Sequence, residues 1–309
     1  MSRAFVFPGQ GAQSVGMGRA LAETYPAARA VFDEVDAALG ENLSGLIWEG
    51  DAETLTLTQN AQPALMATSI AVMRALAAEG IPVTTAACVA GHSLGEYSAL
   101  CAAGSLGLAD TARLLRLRGL AMQRAVPVGV GAMAALLGLD FAQATAVAAE
   151  AAQGEICEAA NDNDPAQVVV SGHRAAVERA VELAKAAGAR RAVMLPVSAP
   201  FHCALMQPAA DEMAAALAEV AIVAPAVPLV ANVRAEAVSD PEEIRRLLAA
   251  QITGSVRWRE SVEWMAAQGV TEFWEIGAGK ALSGMIRRIA REAETRAIAT
   301  PEDVVAARG

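Results

Sequence analysis

The sequence predicts an α/β fold: a mainly parallel sheet between helical layers, with a small ferredoxin-like subdomain inserted into it. Three observations carry this expectation. Short apolar runs of strand length alternate with amphipathic helical stretches on both sides of the chain's middle, which is how a three-layer parallel sheet is built. Residues 127–197 instead read strand-helix-strand-strand-helix-strand in about 65 residues, the ferredoxin-like pattern. The 309 residues, 54% hydrophobic and 19% charged, suffice for a large core and exclude a disordered chain. The expected division is 1–126 with 198–309 for the main domain and 127–197 for the insertion.

In chain order, residues 4–7 form a buried strand stopped by the Pro8-Gly9 turn. Helical spacing covers 17–39 and 63–78, the second ending at Gly80-Ile81-Pro82. A short strand at 86–90 precedes a helix after Gly95, and 109–124 is an amphipathic helix carrying Arg113, Arg116 and Arg118. The insertion has strand 132–139, helix 141–153, and strands 156–161 and 167–171 with an Asn-Asp-Asn-Asp-Pro turn between them. Helix 174–187 and strand 191–196 complete it. Helix 204–220, strand 229–232, helices 241–251 and 256–268, strand 272–275 and helix 281–289 then close the main domain.

Composition excludes several classes. A net charge of −10 argues against nucleic acid as a partner. Cys88, Cys101, Cys157 and Cys203 have no Cys-x-x-Cys spacing, and only three histidines are present, so neither a disulfide framework nor a metal site is expected. The start lacks a signal-peptide run, and no uncharged apolar stretch approaches the roughly 18 to 20 residues that span a bilayer. A soluble cytoplasmic protein, not engaged with a membrane, is expected.

Gly91-His92-Ser93-Leu94-Gly95 lies between a strand and a helix, the setting of a nucleophile elbow. A sharp turn exposes the Ser93 hydroxyl, the glycines relieve crowding, and the following helix directs its first amides at developing negative charge. The plainer alternative is a helix start that Ser93 merely caps. Serine needs a base. His92 adjoins Ser93 on the turn, so its ring should point away, and His173 follows a strand of the insertion, where a solvated turn is expected. Elimination favours His202, where the insertion rejoins the main sheet. Gly277-Ala278-Gly279-Lys280 lacks the earlier glycine and the Ser or Thr of a phosphate loop, and Gly9-Gln10-Gly11 has Ser14 in place of the third glycine of a dinucleotide fingerprint. The latter reads better as a turn bringing backbone amides to the active site.

Together these residues resemble the malonyl-CoA:acyl carrier protein transacylases and the related acyltransferase domains of polyketide synthases. The likeness runs nearly end to end through Phe7-Pro8-Gly9-Gln10-Gly11, Gly91 to Tyr97, Arg118-Gly119, Asn161-Asp162-Asn163, Phe201-His202 and Glu275-Ile276-Gly277. It implies an α/β-hydrolase-like core with an inserted ferredoxin-like subdomain. It also implies that Ser93 carries a malonyl ester, with His202 as base and then acid, and backbone amides of Gln10 and Leu94 as oxyanion hole. The main-chain carbonyl of Gln251 would orient His202 in place of a triad acid. Arg118, on the residues alone a solvated helix arginine, would grip the malonyl carboxylate. Phe201 would favour malonyl over methylmalonyl, and Met133 would line the acyl pocket or simply fill core. Ala278 departs from the family's usual proline in a turn away from the chemistry.

The implied reaction is ping-pong transfer from malonyl-CoA to the phosphopantetheine thiol of acyl carrier protein, by a monomer without metal or redox cofactor. An acidic carrier needs a basic surface, for which Arg287, Arg288, Arg291, Arg113 and Arg116 are candidates, each also readable as solvated helix face. Fatty acid synthesis is the expected setting, with a polyketide pathway as the alternative. A serine thioesterase and a non-catalytic carrier-binding module are the competing readings.

Overall fold

Strand β1 (Ser2–Phe7) turns Ala4 and Val6 to one side and Phe5 and Phe7 to the other, and all four are fully buried, so its sheet is covered on both faces. The computed structural model describes residues 2–197 and 199–308. Ser198, where the expected second segment of the main domain opens, and the terminal Met1 and Gly309 lie outside the described residues.

Where the spacing predicts one helix over 17–39, the chain forms α1 (Arg19–Thr24) and α2 (Pro26–Leu39). Tyr25 breaks it, held extended at φ −116° by the proline that follows, and Pro26 begins the next helix at a position that needs no N–H. Two short helices escaped the periodicity, α3 (Leu43–Glu49) and α4 (Ala52–Thr56), capped by the side chains of Asn42 and Asp51. The central helix α5 (Thr58–Ala78) starts before its expected position and carries Pro63 inside it. Proline deprives the Gln59 carbonyl of its helical partner, and Arg116 Nη1 donates to that carbonyl at 2.7 Å instead. By length and composition α5 could cross a bilayer, but it carries Arg74 and 83% of its apolar window is buried in the protein core.

Next come β2 (Cys88–Gly91), α6 (Gly95–Ala102) and α7 (Leu108–Ala125). The middle of the chain forms β3 (Gly131–Leu137), α8 (Phe141–Ala152), β4 (Cys157–Asp164), β5 (Gln167–His173), α9 (Arg174–Ala186) and β6 (Arg191–Met194). The rest forms α10 (Gln207–Ala218), β7 (Leu229–Ala231), β8 (Glu236–Val238), α11 (Pro241–Ala250), α12 (Trp258–Ala267), β9 (Val270–Ile276) and α13 (Ala281–Ile289). The domain does not close there: β10 (Glu294–Ile298) and α14 (Pro301–Ala306) follow, and β10 pairs with β9 at the sheet's edge.

The first sheet has the order β10-β9-β1-β2-β7-β8, parallel except for the β7/β8 pair. The second, β4-β5-β3-β6, is antiparallel and packs its own apolar cluster, including Leu136, Val168 and Val170, against α8 and α9. The protein is thus mixed α/β with one mostly parallel and one antiparallel sheet. The expected Asn-Asp-Asn-Asp turn is a correction: Asn161 to Asp164 belong to β4, and the chain reverses after them. Three of these buried polar side chains have a partner. Asp162 is ion-paired with Arg259 at 2.8 Å, Asp164 with Arg288 at 2.7 Å, and Asn163 meets His92. The register of β4 shifts between Ala159 and Asn161 and between Asp162 and Asp164, and Asn161 forms an isolated parallel bridge with Val256, just before α12.

Candidate active site

At the carboxyl end of β2 the chain turns sharply into α6, and Ser93 occupies the turn with φ 53°, the left-handed region that non-glycine residues rarely adopt. Only glycine fits on either side. A Cβ on Gly91 would lie 1.9 Å from the Gly95 carbonyl carbon, and one on Gly95 would lie 2.2 Å from the Phe7 carbonyl oxygen. His92 N donates to that same Phe7 carbonyl at 3.0 Å, tying the elbow to the end of β1 and setting Gln10 beside it.

Ser93 Oγ lies 2.8 Å from His202 Nε2. His202 Nδ1 lies 2.9 Å from the Gln251 carbonyl oxygen, which only accepts, so Nδ1 carries the proton and Nε2 is free to receive the serine's. His202 also has a left-handed φ, 59°, so strain is stored on both sides of this contact. Burial, reinforced by the charge of Arg118, pushes the His202 pKa down to about 3, leaving a neutral imidazole at physiological pH.

Arg118 reaches the same hydroxyl from α7: its Nη2 donates to Ser93 Oγ at 3.2 Å. Only 1% exposed, it also donates from Nη1 to Gln62 Oε1 at 2.8 Å and from Nη2 to Gln251 Oε1 at 2.9 Å. The reading of Arg118 as a solvated helix residue is excluded. Its neighbours on α7 differ: Arg113 is exposed and paired with Asp110, and Arg116 serves the Gln59 carbonyl.

Ser93, His202, Arg118, Gln10, Leu94, Phe201 and Met133 line one cavity of about 360 Å³, and Gln251 stands fully buried behind it. Leu195, Pro196 and Val197, which follow β6, form part of its wall, and Met133 packs with Phe201 and Val169. Met133 is therefore both core and lining. Of the other histidines, His92 turns its Nε2 to Asn163 Oδ1 at 2.8 Å, away from Ser93 as expected. His173 is not merely solvated, since Ile156 N donates to its Nδ1 at 2.9 Å. Among the described residues, no group of three or more His, Cys, Asp or Glu is placed to hold a metal ion.

Four supporting residues had no assigned role in the sequence. Asn232, just past β7, accepts from Ser93 N at 2.8 Å and donates to the Gly91 carbonyl at 2.6 Å, locking the elbow. Glu96, fully buried on α6, accepts from Asn232 N at 2.9 Å and from Gln251 Nε2 at 3.0 Å. Gln62 holds Arg118, and Asn163 holds His92. Glu96 and Asn163 stand within quoted motifs, which was a signal. Gln62 and Asn232 are neutral amides whose importance comes only from their tertiary neighbours.

A serine hydroxyl beside a neutral imidazole and a buried cation can carry out chemistry on an activated acyl group. The family model of the acyl transferase domain matches residues 4–301. The chain belongs to this family and is an acyltransferase. It is 48% identical over 304 residues to the malonyl CoA-acyl carrier protein transacylase of Escherichia coli (strain K12), covering 98% of both chains. Its structure superposes on the acyl-carrier-protein-S-malonyltransferase from Bartonella henselae with a TM-score of 0.97 at 56% identity, covering 99% of this chain and 98% of the other. A malonyl-transacylase solved in complex with a type II PKS acyl-carrier protein matches with a TM-score of 0.96 at 42% identity, covering 99% of each chain.

Proposed function

We propose that the protein transfers a malonyl group from malonyl-CoA to the phosphopantetheine thiol of an acyl carrier protein through an ester on Ser93. The observation that carries this reading is the convergence of His202 and the buried Arg118 on one hydroxyl. His202 takes the Ser93 proton as Oγ attacks the thioester carbonyl, then gives it to the departing CoA sulfur. The backbone N–H groups of Gln10 and Leu94, both at the cavity wall, face the oxyanion. The carrier's thiol reverses these steps. Nucleophile, base and donors all come from the chain, so the transfer calls on no metal or redox cofactor.

Arg118 supplies the selectivity. A planar guanidinium binds a carboxylate through two charge-assisted bonds, each worth about 1.5–3 kcal/mol, whereas acetyl offers nothing to bind. A thioesterase for neutral acyl groups has no use for a buried cation here. Phe201 and Met133 narrow the acyl end, a restriction worth about 1–3 kcal/mol against one extra methyl group.

We read residues 1–126 with 198–309 as an α/β-hydrolase-like catalytic domain and 127–197 as a ferredoxin-like insertion. The elbow after β2, and the strand order β4-β5-β3-β6 with two helices, support that division. The proposed setting is fatty acid synthesis, by a cytoplasmic monomer. The match to the PKS complex favours a polyketide carrier as the second reading. Arg118→Ala tests the core of the proposal: malonyl transfer should fall by at least about 10-fold while acetyl transfer is kept or gained. Equal loss of both would remove the carboxylate role.

A further inference from the structure

Arg118 is buried, yet among the described residues it forms no ion pair: its hydrogen-bond partners are Gln62, Gln251 and Ser93. A carboxylate stands one amide away. Gln251 Oε1 accepts from Arg118, and Gln251 Nε2 donates to Glu96 Oε2, so the amide dipole is aligned head to tail between cation and acid. Glu96 is 0% exposed and takes both of its hydrogen bonds on Oε2, while Oε1 has no hydrogen-bond partner among the described residues. A wholly buried carboxylate with one bare oxygen keeps its charge only through a nearby cation. Burial raises the Glu96 pKa to about 7 against the opposing pull of its two hydrogen bonds and of Arg118. Arg118 from α7 is the charged group facing it, and Tyr97 on its own helix with His202 and His92 across the site complete the titratable set.

We propose that Glu96 is the counter-ion of Arg118 in the unacylated enzyme, and that it takes up a proton when a substrate carboxylate reaches Arg118. The inference rests on the malonyl-transfer reading above. Two carboxylates then compete for one buried cation, and the one with the unpartnered oxygen becomes neutral. The bookkeeping is separate from the acyl transfer. The Ser93 proton passes through His202 to the CoA sulfur, while the additional proton comes from solvent and binds Glu96 Oε1. Glu96 is a positioning residue that sets how strongly Arg118 holds the incoming carboxylate.

Glu96→Gln isolates the charge. Its amide oxygen can keep both bonds now made to Oε2, with the NH₂ placed on the bare Oε1 side. The test mixes enzyme with stoichiometric malonyl-CoA or acetyl-CoA in weak buffer with an indicator dye, between pH 7 and 8, and follows Ser93 acylation by mass. Malonylation of the wild type should take up as much as one more proton than acetylation, a comparison that needs no variant. In Glu96→Gln the difference should vanish. The wild-type KM for malonyl-CoA should also rise about fivefold from pH 7 to pH 8 and stay level in Glu96→Gln. A Ser93 adduct formed with equal proton counts for both acyl groups, or a difference that persists in Glu96→Gln, overturns the Glu96 role alone. Absence of any malonyl adduct overturns the malonyl-transfer reading with it.

Discussion

His202 is set up to accept the Ser93 proton by what surrounds it. With its pKa depressed to about 3 by burial and by Arg118, the free imidazole stays neutral as pH falls through 6.5, where an unperturbed histidine would acquire its charge. The acid limb of kcat/KM should therefore lie below pH 5, and Arg118→Ala should move it upward by removing the charge. A limb at 6.5 in the wild type would contradict this electrostatic setting. His202→Ala should lower kcat by about 10² to 10⁴-fold with the fold retained, as read by single-turnover acylation and circular dichroism. At this scale the sequence was informative where a residue type is rare or a motif is tight. Three histidines left few bases to choose from, and Gly91 to Gly95 marked the sharp turn that carries Ser93. The place of Arg118 beside Ser93 was implied only by family likeness, since Arg113 and Arg116 on the same helix are identical in type and make different contacts. The Gln251 side chain was invisible in the sequence: its bonds run to Ser93, Glu96 and Arg118, each distant along the chain.

The elements position these residues through a few close approaches. The elbow depends on α6 passing against the end of β1, which leaves no room for a side chain at Gly95. Gly95→Ala should destabilise the protein by at least about 1–3 kcal/mol and misplace Ser93, read by urea unfolding and loss of acylation. In α5, Pro63 and Arg116 form a compensating pair. Arg116→Ala should cost about 1–3 kcal/mol by leaving the Gln59 carbonyl unpaired, and Pro63→Ala in that background should recover part of it by restoring an N–H donor. Additive effects in the double variant would contradict the pairing. Most strands and helices were legible from apolar period and turn residues. The α1/α2 break could have been read from Pro26, but β4 could not. Its Asn-Asp-Asn-Asp run has turn chemistry in isolation and strand structure only because Arg259, Arg288 and His92 meet it.

At the scale of the molecule, the two sheets build the cavity between them. The turns after β1 and β2 of the first sheet provide Gln10 and Ser93, α7 provides Arg118, and the second sheet contributes Met133 and the segment after β6. Backbone bonds from Asp162 N to Val256 O and from Val256 N to Ala160 O, both 2.9 Å, stitch β4 to the segment that leads into α12, beside the Asp162–Arg259 pair. Asp162 has no exposed side-chain surface, so Arg259→Ala should strand a buried carboxylate and cost about 3–5 kcal/mol in denaturant unfolding. A loss below about 1 kcal/mol would show that the stitch does not depend on this charge pair. The mostly parallel sheet and the strand-helix-strand-strand-helix-strand order of the middle segment were apparent from the pattern of segments, whereas the way they face each other depends on side chains brought from opposite ends of the chain. The central claim is that Ser93 carries the malonyl group in transit. Peptide-level mass spectrometry after mixing with malonyl-CoA, followed by addition of a phosphopantetheinylated carrier protein, tests it directly. A malonyl adduct confined to Ser93 that then appears on the carrier thiol is the predicted result. Hydrolysis of the adduct without transfer, or a carrier malonylated by Ser93→Ala, would contradict it.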